Sequence, residues 1–331
     1  MFQFGLSLSY MTNKEKYIEF SKKNNSINFF AKPWWLNITA GSEKWDVCLI
    51  EKGGNIFAAM PYVIGNFLFF NGLEISMLSP RTQLFINYPK GQKTTKRYSF
   101  EKEVITKIIA QLPDLDYYNL KLNYELDNWL PFYWANFKQQ TNYSYVIEDL
   151  SNLDLVFSNF GSNIKTDIKK AQKNVYVHSN YSIEKFYELN TLTFNRQGKK
   201  NPLTLDYLKK IHVETQKRNC SKMFFAEDNE NNIHAVLFLV WDENSAYYML
   251  SGGDPFLRNS GATSFLVWEA IKFVSDKTKS FDFEGSMIMP VEKFVKSFGG
   301  ARKQFFKLQK YNSNLLRIFI GLSGMVDKSK F

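Results

Sequence analysis

Two carboxylates lie two residues apart in the segment 281–285, which reads Phe-Asp-Phe-Glu-Gly. On a β-strand, side chains at i and i+2 point to the same face, so Asp282 and Glu284 would share one face while the phenylalanines bury on the other. A carboxylate tuned to a near-neutral pKa can accept a proton in general base catalysis. Both acids are therefore candidate bases or amine-binding groups. Structural ion pairs with Arg302 or Lys303 are the alternative.

An anion-binding site is predicted upstream of these acids. A strand ends in Ser251-Gly252-Gly253, the loop 254–262 follows, and an apolar-periodic helix then runs to about Ser275. The first N–H groups of a helix lack internal acceptors, and the helix dipole favours a negative group there. The guanidinium of Arg258 could contact a phosphate, although a surface arginine without a ligand is also compatible with the sequence.

Other basic and polar side chains are candidate substrate contacts. Three lysines recur at i, i+4 and i+8 of a helix predicted over 152–173, where they form either an RNA-binding stripe or a solvated face. A cluster at 196–200 ends another helix and could hold an acidic acceptor such as a nucleotide sugar or a lipid phosphate. An arginine after Ser79-Pro80 is predicted to reach the cleft between the two halves. The candidates are Arg196, Gln197, Arg81, Lys165 and Lys169.

The composition favours a folded, basic protein with a polyanionic partner. The 331 residues are 44% hydrophobic and 17% aromatic, which excludes a disordered chain, and they carry a net charge of +10. Residues 1–150 hold 16 Lys+Arg and 14 Asp+Glu, and residues 151–331 hold 26 and 18, so the second part carries +8. Such an excess favours nucleotide cofactors, RNA or anionic membranes, and a solvated basic surface without such a partner is the alternative. The two cysteines and three histidines lack ligand spacing, so no metal is predicted.

The order of predicted elements indicates two similar units. In the second half, helices at 183–196 and 204–218 precede strands at 223–226, 233–241 and 246–250, then the loop and helix, a strand at 281–284, a short helix from Pro290 to Gly299-Gly300, and a strand at 304–309. The first half has strands at 45–51, 55–63, 66–70, 73–77, 116–121 and 142–149, with helices from Pro33, at 100–111 and at 128–137. We expect an internal duplication of an α/β unit with its boundary near Asn152.

This order resembles the GNAT acyltransferase fold, and the whole chain resembles its two-domain FemAB-like or BioF2-like branch. The resemblance rests on short motifs: Trp34-Trp35, residues 163–171 and 194–198, Gly253-Asp254 with residues 258–262, and residues 281–286. It implies an α/β (α+β) fold of tandem GNAT-like domains, each a mostly antiparallel mixed sheet flanked by helices. From the residues we predict a poorly ordered leader at 1–10, domains at 11–151 and 152–311, and an amphipathic tail at 312–331.

The resemblance also implies a donor site. GNAT enzymes hold the pyrophosphate of acyl-CoA with a loop of pattern [Q/R]-x-x-G-x-[G/A], and here a threonine stands where glycine or alanine is usual. A main-chain N–H in the strand edge at 248–250 would hold the acyl carbonyl, and Tyr248 joins the two acids as a candidate catalytic residue. The implied donor contacts are Leu250, Arg258, Asn259, Ser260, Gly261, Ala262 and Thr263.

The implied function is N-acyl transfer from acyl-CoA or acyl carrier protein to an amine of a cell-envelope precursor, either a small molecule or a lipid-linked amine. Fem-type transfer from aminoacyl-tRNA is the alternative, and a non-catalytic binding protein is the third hypothesis. We expect a cytoplasmic protein, because no apolar stretch reaches about 18 residues and residues 1–10 lack signal-peptide features. Contact of the tail with the inner face of the membrane, and the oligomeric state, stay open.

Overall fold

A computed structural model describes residues 11–322, with side chains described up to Ile320. The described chain divides into two compact units, of which unit 1 contains residues 11–142 and 304–322 and unit 2 contains residues 143–303. The predicted boundary near Asn152 and the predicted end of the second domain at 311 therefore both differ from the observed divisions. The predicted leader 1–10 and the end of the tail lie outside the described residues.

Unit 1 is built mainly from the first half of the chain. Its elements are α1 (Asn13–Lys23), α2 (Pro33–Thr39), β1 (Trp45–Lys52), β2 (Asn55–Phe67), β3 (Phe70–Glu74), β4 (Phe85–Ile86), α3 (Thr94–Ala110), β5 (Tyr117–Lys121), α4 (Leu130–Trp134), the start of β6 (Lys138–Ile147), most of β12 (Ala301–Tyr311) and α11 (Asn314–Leu322). The predicted strands at 66–70 and 73–77 are wrong, because β2 runs unbroken to Phe67 and turns into β3 at once. Leu68, with φ +56°, makes that turn.

Unit 2 contains the predicted site. After the end of β6 its elements are α5 (Leu153–Ser158), α6 (Ser162–Ala171), β7 (Tyr176–His178), α7 (Ile183–Asn195), α8 (Leu205–Lys217), β8 (Ser221–Glu227), β9 (Ile233–Trp241), β10 (Ser245–Gly253), α9 (Ala262–Val274), β11 (Ser280–Asp282) and α10 (Met289–Lys296). The almost continuous apolar run of β9 is buried from Ile233 to Val240. That burial on both faces is what the sequence predicted for this strand.

The two units repeat one sheet pattern. In unit 1, β1, β2 and β3 are antiparallel neighbours, β3 pairs in parallel with β5, and β5 pairs antiparallel with β12. In unit 2, β7, β8, β9 and β10 are antiparallel neighbours, β10 pairs in parallel with β11, and β11 pairs antiparallel with β6. The last strand of the unit 1 pattern, β12, comes from the second half of the sequence, and the last strand of the unit 2 pattern, β6, comes from the first half. We call these two the closing strands. This exchange explains the misplaced boundaries, because strand pairing across the sequence leaves no local signal.

The helix predicted over 152–173 is two helices. Gly161 has an extended backbone (φ −59°, ψ 151°) between α5 and α6, and its N–H donates to Ser297 O at 2.8 Å. The apolar spacing continues through Phe160, which is 3% exposed, so periodicity alone predicts one helix. The structure contradicts that prediction because the chain must turn to dock α6 against α9.

The charge is distributed differently between the units than between the sequence halves. Among the described residues, unit 1 holds 19 Lys+Arg and 12 Asp+Glu, a net +7, whereas unit 2 holds 21 Lys+Arg and 19 Asp+Glu, a net +2. The excess assigned to the second half by sequence is therefore not a property of unit 2. General electrostatic attraction of an anionic donor is a weaker argument for that unit than the sequence suggested.

Candidate active site

The parallel strands β10 and β11 separate inside unit 2. Their register pairs Ser245 with Ser280, Ala246 with Phe281 and Tyr247 with Asp282, and no further pair follows between these two described strands. Strand β10 nevertheless continues to Gly253 along β9. The main chain of β10 beyond residue 247 is thus no longer paired with β11, and we call this unpaired stretch the gap between the two strands.

A β-bulge lies at the mouth of this gap. Tyr248 faces Leu239 and Leu250 faces Phe238, so Met249 is an extra residue on β10. A bulge bends its strand and redirects the main-chain groups beside it. This is the place at which the sequence put the N–H for the acyl carbonyl, and the structure places Tyr248 and Leu250, both half-buried, on either side of the bulge.

Asp282 is the last residue of β11 and belongs to its last pair with β10. It is fully buried, with 0% exposure. Its Oδ1 accepts the Ser144 hydroxyl at 2.5 Å and the Glu284 N–H at 2.8 Å. A carboxylate held by two short hydrogen bonds in the protein interior is suited to fixing the chain around it. The structure therefore favours a positioning role for Asp282 over direct contact with an amine.

Glu284 does not share a strand face with Asp282. Strand β11 ends at Asp282, and Glu284 has φ +61° in the left-handed region, so the i, i+2 argument is wrong. Gly285 follows with φ +65°, and a Cβ built there would lie 2.0 Å from Tyr143 O. Two consecutive left-handed residues are costly for a non-glycine side chain, and such strain concentrates at functional sites.

Tyr248 lies next to this strained turn. Its ring is 6.4 Å from that of Phe283, and burial raises the pKa of its hydroxyl to about 12. A phenol with such a raised pKa stays protonated at neutral pH and can donate a hydrogen bond. Tyr247, the neighbour on the opposite face, is 5% exposed.

Helix α7 packs closely against the unpaired part of β10. Asn190 donates through Nδ2 to Ser251 O at 2.7 Å, and its Oδ1 accepts from Asn201 at 3.0 Å. A Cβ at Gly252 would lie 2.5 Å from Asn190 Cα, so only glycine permits this approach. Sequence reasoning missed Asn190, although a polar residue on the apolar face of α7, one turn after Phe186, was the available signal.

The predicted anion-binding loop is present but its inner side is covered by α6. Gly261 adopts φ +82° immediately before α9, and a Cβ there would lie 2.3 Å from Asp167 O. The Ser264 hydroxyl donates to Asp167 Oδ2 at 3.1 Å, and the Ala262 N–H donates to Ser260 Oγ at 3.3 Å. A carboxylate therefore already lies at the positive end of α9.

The outer side of the loop stays open. Arg258 and Asn259 are exposed, and Lys170 donates to Asn259 O at 2.7 Å. Within the described residues, the N–H groups of Thr263 and Ser264 have no protein acceptor. The first turn of α9 thus keeps two free donors, while the neighbouring carboxylate of Asp167 opposes an anion.

The basic candidates are scattered rather than gathered at the gap. Arg196 and Gln197 are exposed at the end of α7, and Lys169 is exposed on α6, whereas Lys165 donates to Ser158 O at 2.7 Å. Arg81 belongs to unit 1, is 6% exposed, and packs over the rings of Tyr124 and Phe305 at 4.9 and 5.3 Å. Burial of Arg81 within its own unit argues against the predicted contact with substrate.

Comparison with known families identifies the class of this unit. Residues 158–286 match the sequence model of the family described as Acetyltransferase (GNAT) domain. The match contains β10, the anion-binding loop, α9 and the turn at Glu284. The chain thus carries a GNAT domain, and it is an acyltransferase. A search among curated proteins finds no match.

Solved structures extend the likeness to both units. FemX shares 12% identity and a TM-score of 0.63, with coverage of 95% of this chain and 98% of that chain. The C-terminal domain of a protein assigned as a lysylphosphatidylglycerol synthetase from Agrobacterium fabrum shares 9% identity and a TM-score of 0.53, with 95% of each chain covered. L-PGS from Bacillus licheniformis shares 10% identity and a TM-score of 0.50, with coverage of 96% of this chain and 98% of that chain. These likenesses establish a two-domain, FemAB-like GNAT fold, as the sequence predicted.

Two other features are absent from the described residues. Among the described helices, none is long and apolar enough to cross a membrane. Between residues 11 and 320, no group of three or more His, Cys, Asp or Glu side chains is arranged to hold a metal ion.

Proposed function

We propose that the protein transfers an activated acyl or aminoacyl group to an amine of a cell-envelope precursor, at the gap between β10 and β11. The observation that carries the proposal is the separation of these strands after Tyr247 and Asp282, beside the bulge at Met249. It lies within the segment that matches the GNAT domain. An envelope acceptor is suggested by the lipid product in the name lysylphosphatidylglycerol synthetase.

The reaction makes one bond and breaks another. The amine nitrogen attacks the acyl carbonyl carbon, a C–N bond forms, and the bond from carbon to the leaving sulfur or oxygen breaks. In this proposal, a main-chain N–H at 248–250 stabilises the charge on the carbonyl oxygen. Glu284 takes the proton from the amine, and Tyr248 protonates the leaving group. Asp282 fixes the turn that carries Glu284.

Transfer assays on four variants test these roles. Glu284→Gln and Tyr248→Phe keep the size of each side chain and remove its proton chemistry, and we expect about 100-fold or larger losses in kcat for the glutamate. Glu188→Gln on α7 and Tyr98→Phe on α3, both exposed, are matched controls that should keep wild-type rates. Wild-type transfer by Glu284→Gln would refute its role as base.

The proposal has two forms, which differ in the donor, and in the first form the donor is an acyl thioester. The second form, an aminoacyl-tRNA donor, is favoured by the contact of Asp167 with Ser264 at the start of α9. A carboxylate there repels the diphosphate of a CoA, whereas a tRNA donor does not require that contact. Likeness in fold to FemX is compatible with either donor.

A thermal-shift comparison separates the two donors. If acyl-CoA binds at the start of α9, it should raise the Tm of the protein, and Asp167→Asn should enlarge the shift by removing the repelling charge. If the donor is aminoacyl-tRNA, acyl-CoA should give no shift in either protein, and labelled aminoacyl-tRNA should support transfer. Asp154→Asn, on the exposed face of α5, controls for a general change in charge.

A further inference from the structure

A run of apolar side chains is exposed directly after the candidate site. Met287 is 48% exposed, Ile288 54%, Met289 80% and Val291 42%, and Pro290 between them is also exposed. Soluble proteins rarely leave so many consecutive apolar residues in water unless the surface binds something. We call residues 287–291 the apolar tip.

Helix α10 continues the apolar tip with positive charge. Met289, Lys293 and Lys296 recur at i, i+4 and i+7, so they lie along one stripe of the helix, and all three are exposed. The opposite side is buried through Val295, which is 1% exposed. The one acid of α10, Glu292, accepts the Tyr145 hydroxyl at 2.5 Å and lies 3.8 Å from Lys296.

We propose that the apolar tip and the lysine stripe of α10 bind the surface of an anionic lipid bilayer. The apolar side chains would enter the boundary between headgroups and acyl chains, and Lys293 and Lys296 would reach lipid phosphates along their flexible stems. The first turn of α10 is apolar, which matches the acyl-chain region of a membrane. Its last turn is basic, which matches the layer of anionic headgroups. An acidic protein groove would match the lysines but not the exposed methionines.

A second exposed apolar side chain lies at the same end of the parallel strand pair. Phe256 is 92% exposed in the loop that follows β10. Because β10 and β11 are parallel, the loops that follow them leave the sheet in the same direction. The inference deepens the proposed function, because a bilayer bound by the apolar tip would present a lipid-linked amine near the turn that carries Glu284.

Vesicle co-sedimentation of the full chain tests this inference. We expect binding to vesicles of phosphatidylglycerol and phosphatidylcholine that is about tenfold or more tighter than binding to phosphatidylcholine alone, and that weakens with salt. The double variants Ile288→Glu/Met289→Glu and Lys293→Glu/Lys296→Glu should each lose about tenfold or more of this binding. Leu155→Glu on α5, with 58% exposure at the substituted leucine, is the matched control in the same unit.

Several outcomes would overturn the inference. These are absence of vesicle binding, equal binding to neutral vesicles, or wild-type binding by both double variants. Loss of binding in Ile318→Glu, on the exposed side of α11, would move the lipid contact to the C-terminal helix. Self-association in light scattering that the tip variant abolishes, without vesicle binding, would identify a second copy as the partner.

The same variants keep this test separate from the test of the reaction. Transfer to a soluble amine, measured without vesicles, should be unchanged in both double variants. Lost vesicle binding with normal transfer supports the membrane contact, whereas an inactive wild type that binds vesicles would contradict only the proposed reaction. Circular dichroism of each variant shows whether the fold is retained.

Discussion

Replacing Gly261 with alanine should destabilise unit 2 far more than an ordinary glycine substitution does. Gly261 has φ +82°, and an added Cβ would lie 2.3 Å from Asp167 O and 2.9 Å from Asp167 Cα. The left-handed backbone costs an L-residue about 1–2 kcal/mol. The overlap with α6 adds about 1–3 kcal/mol, because main-chain atoms of a packed helix cannot move aside as a side chain can.

Gly198 provides the matched control. It has φ +66°, yet nothing lies within 4 Å of a Cβ built there. Gly198→Ala therefore includes the backbone cost without the overlap, and both substitutions restrict the unfolded chain equally. The difference in unfolding free energy between the two variants should be about 1–3 kcal/mol.

Urea unfolding followed by fluorescence measures this difference. The midpoint of Gly261→Ala should fall below that of Gly198→Ala, with an unchanged slope if the native state keeps its compactness. Equal midpoints would refute the close approach of α6 to α9. They would also weaken the argument that Asp167 covers the inner side of the loop.

Three other predictions concern stability and reactivity. Leu316→Ala should cost about 2–5 kcal/mol because the side chain of Leu316 is 1% exposed, whereas Leu315→Ala, at 60% exposure, should be nearly neutral in urea unfolding. Burial raises the pKa of Cys48 to about 12, so in iodoacetamide labelling at pH 8 Cys48 should react only on unfolding, after the half-buried Cys220. Burial lowers the pKa of His212, so the unfolded chain takes up its proton first as the pH falls through about 6.5. Stability should therefore fall with acidification, and His212→Gln should make urea midpoints between pH 7 and pH 5 less dependent on pH.

Much of unit 2 was predictable because its signals are local. The apolar run of β9, the periodicity of α9 and the turn residues between strands each depend on neighbouring positions. Burial of Phe281 and Phe283 also followed from sequence, since they are 0% and 2% exposed. Local pattern therefore predicted the elements on which the candidate site is built.

The details of the site depend on contacts that sequence spacing does not contain. Ser144 reaches Asp282 from a strand 138 positions earlier, and Asp167 reaches Ser264 from another helix. The left-handed turn at Glu284 is set by the approach of the next residue to β6 and not by the propensity of glutamate. The predicted pair of acids is thus close in the structure, but the two have different environments.

The exchange of closing strands also constrains how the molecule can be made and divided. During translation β5 is synthesised long before β12. The hydrogen bonds between these two strands of unit 1 can therefore form only after almost the entire chain has been synthesised. Dividing the chain between residues 151 and 152 would leave β6 in the first fragment and β12 in the second. Each unit would then lack its closing strand and expose an unpaired strand edge. Such fragments should recover a native fold only when expressed together, because each contains a strand that the sheet of the other requires.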